Sequence, residues 1–328
     1  MDRVLSGMRP TGRLHLGHFV GALDNWRSLQ DKYECLYMIA DWHALTTDYS
    51  DTSKIQENVK DMLIDWLAVG ISPEKSTLFL QSDIPEHAEL HLLLSIITPI
   101  SWLERNPTYR EQKKELGEER LSTYGFLGYP VLQSADILIY KATLVPVGED
   151  QLPHLELTRE ITRRFNYLYG EVFPVPAPLL TKTSRLPGID GRKMSKSFDN
   201  CIYISDSEKT LREKVRHMIT DTERPRLNDP GHPSNCRLFP FHTVFNAKRV
   251  SKISIDCKEA KIGCTDCKEE LSHCLIEYLK DIQIRRHELE ATPKLIIDIL
   301  EEGAERARKI AKQTMEEIRE ALKISYKL

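Results

Sequence analysis

Short apolar runs alternate with segments of helical period over residues 1–200, and this alternation restricts the possible fold more than any other feature. Runs at 4–7, 35–40 and 77–81 are typical of buried strands. Between the last two, residues 53–69 place apolar side chains on one stripe of a helix. Because parallel strands need crossovers of this kind, the pattern favours βαβ units. It predicts an α/β fold with a doubly wound, Rossmann-like parallel sheet.

The pattern becomes mainly helical after about residue 200. Three charged segments have helical period: 206–219, 268–290 and 303–323. Between them, 223–240 form a loop rich in Pro, Gly and Asn. The 328 residues, of which 41% are hydrophobic, suffice for two cores. We therefore predict a catalytic domain over 1–200 and a mainly α-helical domain over 201–328.

Charge and hydropathy exclude two classes of protein. A net charge of −3 excludes a chain that is strongly basic throughout, although local basic patches remain compatible with nucleic-acid binding. No apolar run reaches the roughly 18 residues that a membrane helix needs. The first residues, Met1–Val4, do not form a charged and then apolar leader. We therefore expect a cytoplasmic location and no membrane partner.

A first candidate motif, PTGRLHLGH, covers Pro10–His18, after a strand and before an amphipathic run. Free backbone N–H groups and the helix dipole favour anions at a helix start. His15 and His18, three residues apart, lie on one helical face and can donate hydrogen bonds to phosphate oxygens. Gly17 allows a ligand to approach the backbone closely. The alternative is a pair of surface histidines at an ordinary helix start.

A second candidate motif, KMSKS, covers Lys193–Ser197 and follows a Gly-containing polar loop. Two lysines flanked by hydroxyl groups suit a mobile loop that folds over a polyphosphate. Their ammonium groups can neutralise the charge that grows on a leaving pyrophosphate. A merely solvated loop is the alternative.

Together, HLGH and KMSKS resemble the paired signatures of class I aminoacyl-tRNA synthetases, where the first is often written HIGH. Five further segments resemble the tryptophanyl enzymes of that class: Ser6–Gly12, Asp41–Thr46, Ser134–Tyr140, Val145–Gln151 and His154–Arg159. The resemblance implies an AMP-forming ligase that activates L-tryptophan with ATP and Mg²⁺ and transfers it to tRNA(Trp). It also implies a homodimer, with a dimer-interface insertion at about 85–135 and an anticodon-binding domain over 201–328.

The resemblance implies roles for individual residues. His15, His18, Lys193 and Lys196 would be catalytic. ATP would be bound by the following residues: Arg9, Pro10, Thr11, Gly17, His18, Gly148, Glu149, Asp150, Gln151, Leu186, Lys193, Met194, Ser195, Lys196 and Ser197. In this set, 148–151 would hold the ribose and Leu186 would contact the adenine through its backbone. Arg9 stands where many relatives have Gln.

Asp136 lies in an otherwise apolar run, where a carboxylate is costly unless it is paired. It could accept a hydrogen bond from the indole N–H of tryptophan, which is a donor-only group. It could instead cap the start of a helix. The resemblance favours the substrate role, with His43 and Gln133 in the same pocket.

Other functions stay open at this stage. Tyr129-x3-Gln133-x2-Asp136 also resembles tyrosyl-tRNA synthetases, so tyrosine is the alternative substrate. The 148–151 stretch and the DWHALT segment favour tryptophan. A related nucleotidyltransferase with the same phosphate-binding turn is a further alternative, and a non-enzymatic RNA-binding metalloprotein is another.

Four of the seven cysteines lie close together on loop-like sequence: Cys236, Cys257, Cys264 and Cys267. Four thiolates that include a CxxC pair fit tetrahedral Zn²⁺ or a [4Fe–4S] cluster equally well. Free thiols in helices are the alternative. Some bacterial tryptophanyl enzymes resemble the chain in this region, and the resemblance implies a [4Fe–4S] cluster in the anticodon region, with structural Zn²⁺ second.

Overall fold

In the part of the chain that the structure describes, five parallel strands form one sheet in the middle of the fold. The computed structural model describes residues 2–107, 123–148, 151–180 and 186–325. The strands are β1 (Arg3–Met8), β2 (Glu34–Ile39), β3 (Ser76–Leu80), β4 (Leu144–Val147) and β5 (Ala177–Leu180). Their order in the sheet is β3-β2-β1-β4-β5, and every pairing is parallel. The predicted Rossmann-like α/β fold is confirmed.

The strand order reverses between β1 and β4. The chain adds β2 and then β3 on one side of β1, and it returns to the other side for β4. Val4 on β1 accordingly lies opposite Cys35 on one side and Leu144 on the other. Ligands of open α/β sheets bind at such a switch point, outside the carboxyl ends of the strands.

Helices cover both faces of the sheet. Before β5 they are α1 (Leu16–His18), a π-helical turn (Phe19–Leu23), α2 (Asp24–Leu29), α3 (Asp41–Asp48), α4 (Ile55–Ala68), a 3₁₀ turn (Gln81–Asp83), α5 (Glu86–Ile97), α6 (Ile100–Glu104), α7 (Tyr124–Ile139) and α8 (Leu152–Tyr169). After β5 they are a 3₁₀ turn (Lys196–Phe198), α9 (Glu208–His217), α10 (Phe239–Phe245), α11 (Val250–Lys258), α12 (Cys264–Glu290) and α13 (Pro293–Ala321). The change to helices after residue 200 therefore matches the sequence pattern.

Alternating strand residues point into two separate cores. Val4 packs in one core and Leu5 in the other, as successive side chains on a strand must. Leu78 and Phe79 divide in the same way on β3. Because both faces are covered, the strands are nearly continuous apolar runs, which is typical of a parallel sheet.

The last helix, α13, covers the edge strand β3. Gly303 lies directly against that strand, because a Cβ at this position would be 1.7 Å from the backbone oxygen of Leu78. Two arginines that follow the glycine hold α13 in place, since Arg306 donates to the carbonyl of Pro73, just before β3, at 3.0 Å and Arg308 donates to Glu86 on α5 at 3.0 Å. A helix over an edge strand protects its unpaired backbone groups. The division into domains at residue 200 stays a prediction.

No helix in the described ranges has the length and the apolar character that crossing a membrane requires.

Candidate active site

A cavity of about 380 Å³ opens at the switch point of the sheet. Its floor comes from the carboxyl ends of β1 and β4, and its walls come from α3, α7 and the start of α8. Apolar groups and a few polar groups line it together, as is usual for small-molecule sites. Arg9, His43, Gln133, Asp136 and Gln151 all line this one cavity.

Asp136 lies in the last turn of α7 and is 2% exposed. The Nε2 atom of His43 lies 2.7 Å from its Oδ2 atom. Gln81 donates to Oδ1 at 2.8 Å, and the Nδ1 atom of His87 lies 2.6 Å from the same oxygen. Because Asp136 lies at the end of a helix, it cannot be an N-cap. The alternative prediction, that Asp136 caps the start of a helix, is therefore wrong.

These partners keep Asp136 ionised inside the protein. Burial by itself raises the pKa of the carboxyl group, but the hydrogen bonds from His43 and His87 outweigh burial and hold the pKa well below its usual value. The carboxylate only accepts, so each imidazole presents an N–H to it. The other ring nitrogen of His87 is 2.6 Å from the hydroxyl oxygen of Tyr140, which also holds this imidazole in place.

The two histidines of HLGH hold each other in a fixed tautomer. His15 is the N-cap of α1, and its Nδ1 accepts from the backbone N–H of His18 at 3.3 Å. The Nδ1 of His18 accepts in return from the N–H of His15 at 3.3 Å, and the rings stack with centroids 3.7 Å apart. A Cβ on Gly17 would lie 3.0 Å from the ring of His15, so a side chain there would crowd the stack. Both Nδ1 atoms accept, so both Nε2 atoms carry the hydrogen and can donate.

Backbone hydrogen bonds join HLGH to the segment that follows KMSKS. The N–H of Leu16 donates to the carbonyl of Ile202 at 2.9 Å, and the N–H of Ile204 donates to the carbonyl of Leu14 at 3.0 Å. The two motifs, far apart in sequence, are therefore neighbours.

Lys196 extends from KMSKS to the first motif. Its Nζ donates to the carbonyl of Thr11 at 3.1 Å. Burial lowers the pKa of Lys196 to about 8. Burial, and then the positive charge of Lys196, lower the pKa of His15 to about 4, and the pKa of His18 is also well below its usual value. At neutral pH this site therefore holds two neutral imidazoles and one ammonium group.

Asn200 holds the KMSKS loop in shape and is 1% exposed. Its Oδ1 accepts from the N–H of Ser195 at 2.8 Å, while its Nδ2 donates to the carbonyl of Lys193 at 3.0 Å and to Asp190 at 2.8 Å. One side chain thus fixes both ends of the segment that presents Lys196.

The other candidate ATP-binding residues have different surroundings. Lys193 and Ser197 are exposed, whereas the side chains of Met194 and Leu186 are buried in the core, so those two residues offer only backbone groups. Gly148 follows directly on β4. Glu149 and Asp150 lie outside the described residues.

The guanidinium of Arg9 approaches Thr47, with 3.4 Å between Nη1 and the hydroxyl oxygen, at the cavity wall. The carbonyl of Arg9 accepts from the N–H of Thr11 at 2.9 Å, which shapes the turn around Pro10.

The four clustered cysteines lie mostly on helices, which corrects the prediction of loop-like sequence. Cys257 is in the last turn of α11, and Cys264 and Cys267 are in the first turn of α12, while Cys236 precedes α10. Gly263 is the N-cap of α12 and directly precedes Cys264, and a Cβ at this position would lie 2.9 Å from the side chain of Leu227. All four thiols are partly buried. Burial, and then the neighbouring cysteines Cys236, Cys257 and Cys264, raise the pKa of Cys267 to about 12.

Comparison with known proteins agrees with this geometry. The family model described as tRNA synthetases class I (W and Y) matches residues 2–280. A tryptophan–tRNA ligase of Thermotoga maritima is 52% identical, and the alignment covers 99% of this chain and all of the relative. The chain belongs to the tryptophan–tRNA ligases. The prediction of an aminoacyl-tRNA synthetase is thereby confirmed.

Solved structures of both tryptophanyl and tyrosyl enzymes share the fold of this chain. A tryptophanyl-tRNA synthetase from Campylobacter jejuni, complexed with ADP and tryptophan, has a TM-score of 0.87 at 35% identity and covers 98% of this chain and 99% of its own. A tyrosyl-tRNA synthetase from Archaeoglobus fulgidus has a TM-score of 0.68 at 21% identity, covering 87% of this chain and 90% of its own. That lower identity shows the shared fold alone. The tryptophanyl prediction is supported over the tyrosyl alternative.

Several site residues escaped the sequence analysis. Gln81 and His87 bind Asp136 from the segment after β3, and Asn200 shapes the KMSKS loop. A polar residue directly after a buried strand marks the carboxyl edge of a parallel sheet, and this signal could have identified Gln81. Nothing in the local sequence identifies His87 or Asn200, because their partners are distant or set by loop geometry.

Proposed function

We propose that this chain joins L-tryptophan to ATP, forming tryptophanyl-adenylate and pyrophosphate, and then transfers the tryptophanyl group to the 3′ end of tRNA(Trp). The observation that supports it most is one of placement. The neutral imidazoles of HLGH, the ammonium of Lys196 and the cavity around Asp136 are all held at one edge of the same sheet.

His15 and His18 would bind the triphosphate of ATP. Each presents an Nε2–H, which a neutral imidazole can donate to a phosphate oxygen. Their lowered pKa values mean that they stay neutral at physiological pH.

Lys196 and Lys193 would stabilise the pyrophosphate as it leaves. Phosphoryl transfer needs positioning and charge stabilisation more than a covalent intermediate. Lys196 is already directed at the first motif, whereas the exposed Lys193 would reach the phosphates only when ATP is bound. Mg²⁺, bound together with ATP, would supply further positive charge against the phosphates. Residues 148–151 would hold the ribose, and the backbone of Leu186 the adenine.

Asp136 would select the amino acid. Within the described residues Oδ1 accepts two hydrogen bonds and Oδ2 one, so Oδ2 keeps a lone pair for the indole N–H. A site built on a buried acceptor rejects analogues without the donor by roughly 10⁴–10⁵. His43 and Gln133 complete the polar part of the cavity.

Amino-acid-dependent exchange of pyrophosphate into ATP tests this function. We expect exchange with tryptophan and none with tyrosine or phenylalanine. Exchange driven by tyrosine would overturn the amino-acid specificity, and a lack of exchange with any amino acid would overturn the ligase activity itself. Charging of tRNA(Trp) transcripts then tests the second step.

We further propose that Cys236, Cys257, Cys264 and Cys267 bind a [4Fe–4S] cluster. The four thiols come from the segment before α10, the last turn of α11 and the first turn of α12, and four thiolates are the usual ligand set of such a cluster. Donors also surround the thiols: the guanidinium of Arg224 lies 4.0 Å from the sulfur of Cys257. Thiolates at the start of α12 would be stabilised by its dipole.

Metal analysis of anaerobically purified protein tests the cluster. We expect four iron and four sulfide per chain with visible absorption, and both should be lost in Cys264→Ser. Cys274→Ser is the matched control, since Cys274 is a partly buried thiol of the same helix outside the four. Stoichiometric zinc without iron would defeat the proposal and favour the structural zinc site.

The remaining partners are also proposals. Leu92, Ile96 and Ile100 form an exposed apolar stripe within 85–135, which supports a homodimer formed through this insertion. The variant Ile96→Glu should be monomeric in light scattering, and an unchanged mass would contradict this interface. The region 201–328 would bind the tRNA anticodon, and the chain would act in the cytoplasm.

A further inference from the structure

Asp65 is a fully buried carboxylate outside the amino-acid cavity. It lies on α4, and its Oδ2 accepts from the backbone N–H of Leu14 at 3.2 Å. Leu14 directly precedes His15, so this hydrogen bond holds the HLGH turn on the side opposite its contacts with Ile202 and Ile204. The position of both histidines therefore depends on where this carboxylate lies.

The main counter-charge of Asp65 comes from α12. The Nε of Arg286, a residue that is 5% exposed, lies 3.3 Å from Oδ1 of Asp65. The same guanidinium lies 3.6 Å from Asp61 and 3.0 Å from Glu290. A buried carboxylate without a counter-charge tends to take up a proton, and it would then hold the turn less firmly.

The charge of Asp65 depends on its neighbours. Burial raises the pKa of Asp65 to about 6, and the charge of Arg286 and the Leu14 N–H are the main influences that oppose that rise. By its contacts Asp65 connects two elements, α12 and the HLGH turn.

We propose that Asp65 is a positioning residue for the ATP site and that Arg286 keeps it ionised and correctly placed. This couples α12, the helix that begins at Cys264, to the phosphate-binding turn. The inference rests on the adenylation activity proposed above. Its physical basis is that a displacement of about 1 Å in a positioned group can reduce a rate by about 10²-fold.

Two neighbouring arginines provide a matched test. Arg285 also joins α12 to α4, because its Nε donates to the carbonyl of Ala68 at 2.7 Å, but this bond does not involve Asp65. We expect Arg286→Met to lower kcat/KM for ATP by about 10- to 100-fold, with KM for tryptophan changed by about twofold or less. Arg286→Lys should recover most of the loss. Arg285→Met should lower Tm and leave kcat/KM for ATP within about twofold of the wild type.

Asp65→Asn keeps the shape of the side chain and serves as a second variant if Arg286→Met does not fold. Combined with Arg286→Met, it should reduce kcat/KM for ATP no more than Asp65→Asn alone, since both substitutions remove the same ion pair. Equal effects of Arg286→Met and Arg285→Met on ATP kinetics would overturn the inference. Calorimetric titration measures the Kd for ATP without turnover, so the same variants can be compared by binding alone. A wild-type chain that binds ATP but shows no exchange activity would disprove the proposed function and leave this inference testable.

Discussion

The amino-acid cavity and the phosphate-binding motifs are neighbours, but they are built in opposite ways. In the cavity, Asp136 is buried and already binds three side chains at 2.6–2.8 Å. At the phosphate site, both Nε2 atoms and the lysines are left to interact with a ligand, and the loop is held mainly through Asn200. The site that we propose for the amino acid is thus preformed, whereas the site that we propose for the phosphates would be completed by its ligand.

The two regions also differ in whether hydrogen-bond donors oppose the effect of burial on the pKa. Burial favours the neutral form of every group, and at His15 and Lys196 it lowers the pKa. At Asp136 burial acts in the same sense, but donors within hydrogen-bonding distance reverse the outcome. The number of donors and acceptors around a group, rather than its depth, therefore determines which charge it carries.

The largest effect is expected at Asp136. Asp136→Asn turns an N–H donor toward the N–H groups of His43, His87 and Gln81, so the acceptor for the indole is displaced and weakened. We expect kcat/KM for tryptophan to fall by about 10⁴-fold while the Kd for ATP is unchanged. Steady-state pyrophosphate exchange and calorimetry measure the two quantities. An equal loss for both ligands would mean that the cavity and the phosphate site are one unit.

Lys196→Ala should have the next largest effect, and it should affect the reaction of ATP rather than the binding of tryptophan. Removing the ammonium should lower the rate of adenylate formation by about 10²- to 10³-fold, because charge on the pyrophosphate is no longer neutralised. The Kd for tryptophan should stay within about twofold of the wild type in fluorescence titration. Lys209→Ala, at an exposed lysine of α9, is the control. Parallel losses in tryptophan binding and rate would show that Lys196 is only structural.

The pH dependence of the phosphate site should follow Lys196. Its pKa is lowered to about 8, so the ammonium form is lost as the pH rises through that value. We expect kcat/KM for ATP to fall by about tenfold per pH unit above pH 8, because this ratio reports the free enzyme. His15, with a pKa of about 4, should cause no change between pH 6 and 8. In Lys196→Arg the decline should be absent, and a decline that persists there would assign the titration to another group.

Asn200 should give the smallest effect. Asn200→Ala removes the bonds that hold Ser195 and Lys193, so we expect KM for ATP to rise by about tenfold or less. Asn200→Asp keeps the acceptor for the Ser195 N–H but places a second carboxylate against Asp190, so KM for ATP should rise at least as much as in Asn200→Ala. Tryptophan binding should not change in either variant. A rise in KM for tryptophan of the same size would show that the loop and the cavity are not independent.

The motifs were predictable because each depends on neighbours in the chain. HLGH lies at a strand–turn–helix junction, and the two imidazoles bond to backbone groups three residues away. The Rossmann-like sheet follows from the alternation of apolar runs with a helical stripe that includes Val59, Met62 and Trp66, all of which are buried. Local periodicity contains that information directly.

The surroundings of the charges were not predictable in this way. Asp136 was a candidate from its apolar context, but its partners Gln81 and His87 come from 49 to 55 residues away. The helical setting of the cysteines and the ion pair between Asp65 and Arg286 likewise depend on how distant segments pack.

The sequence by itself determined the first three strands, the change to helices after residue 200, the two motifs proposed to bind phosphate and the family, because these depend on period, turn residues and short spacing. Only the tertiary structure decided which groups face one another and therefore which charges survive burial. The physical reason is that a pKa depends on distances of a few ångströms between side chains, and those distances are set by packing across the whole sheet.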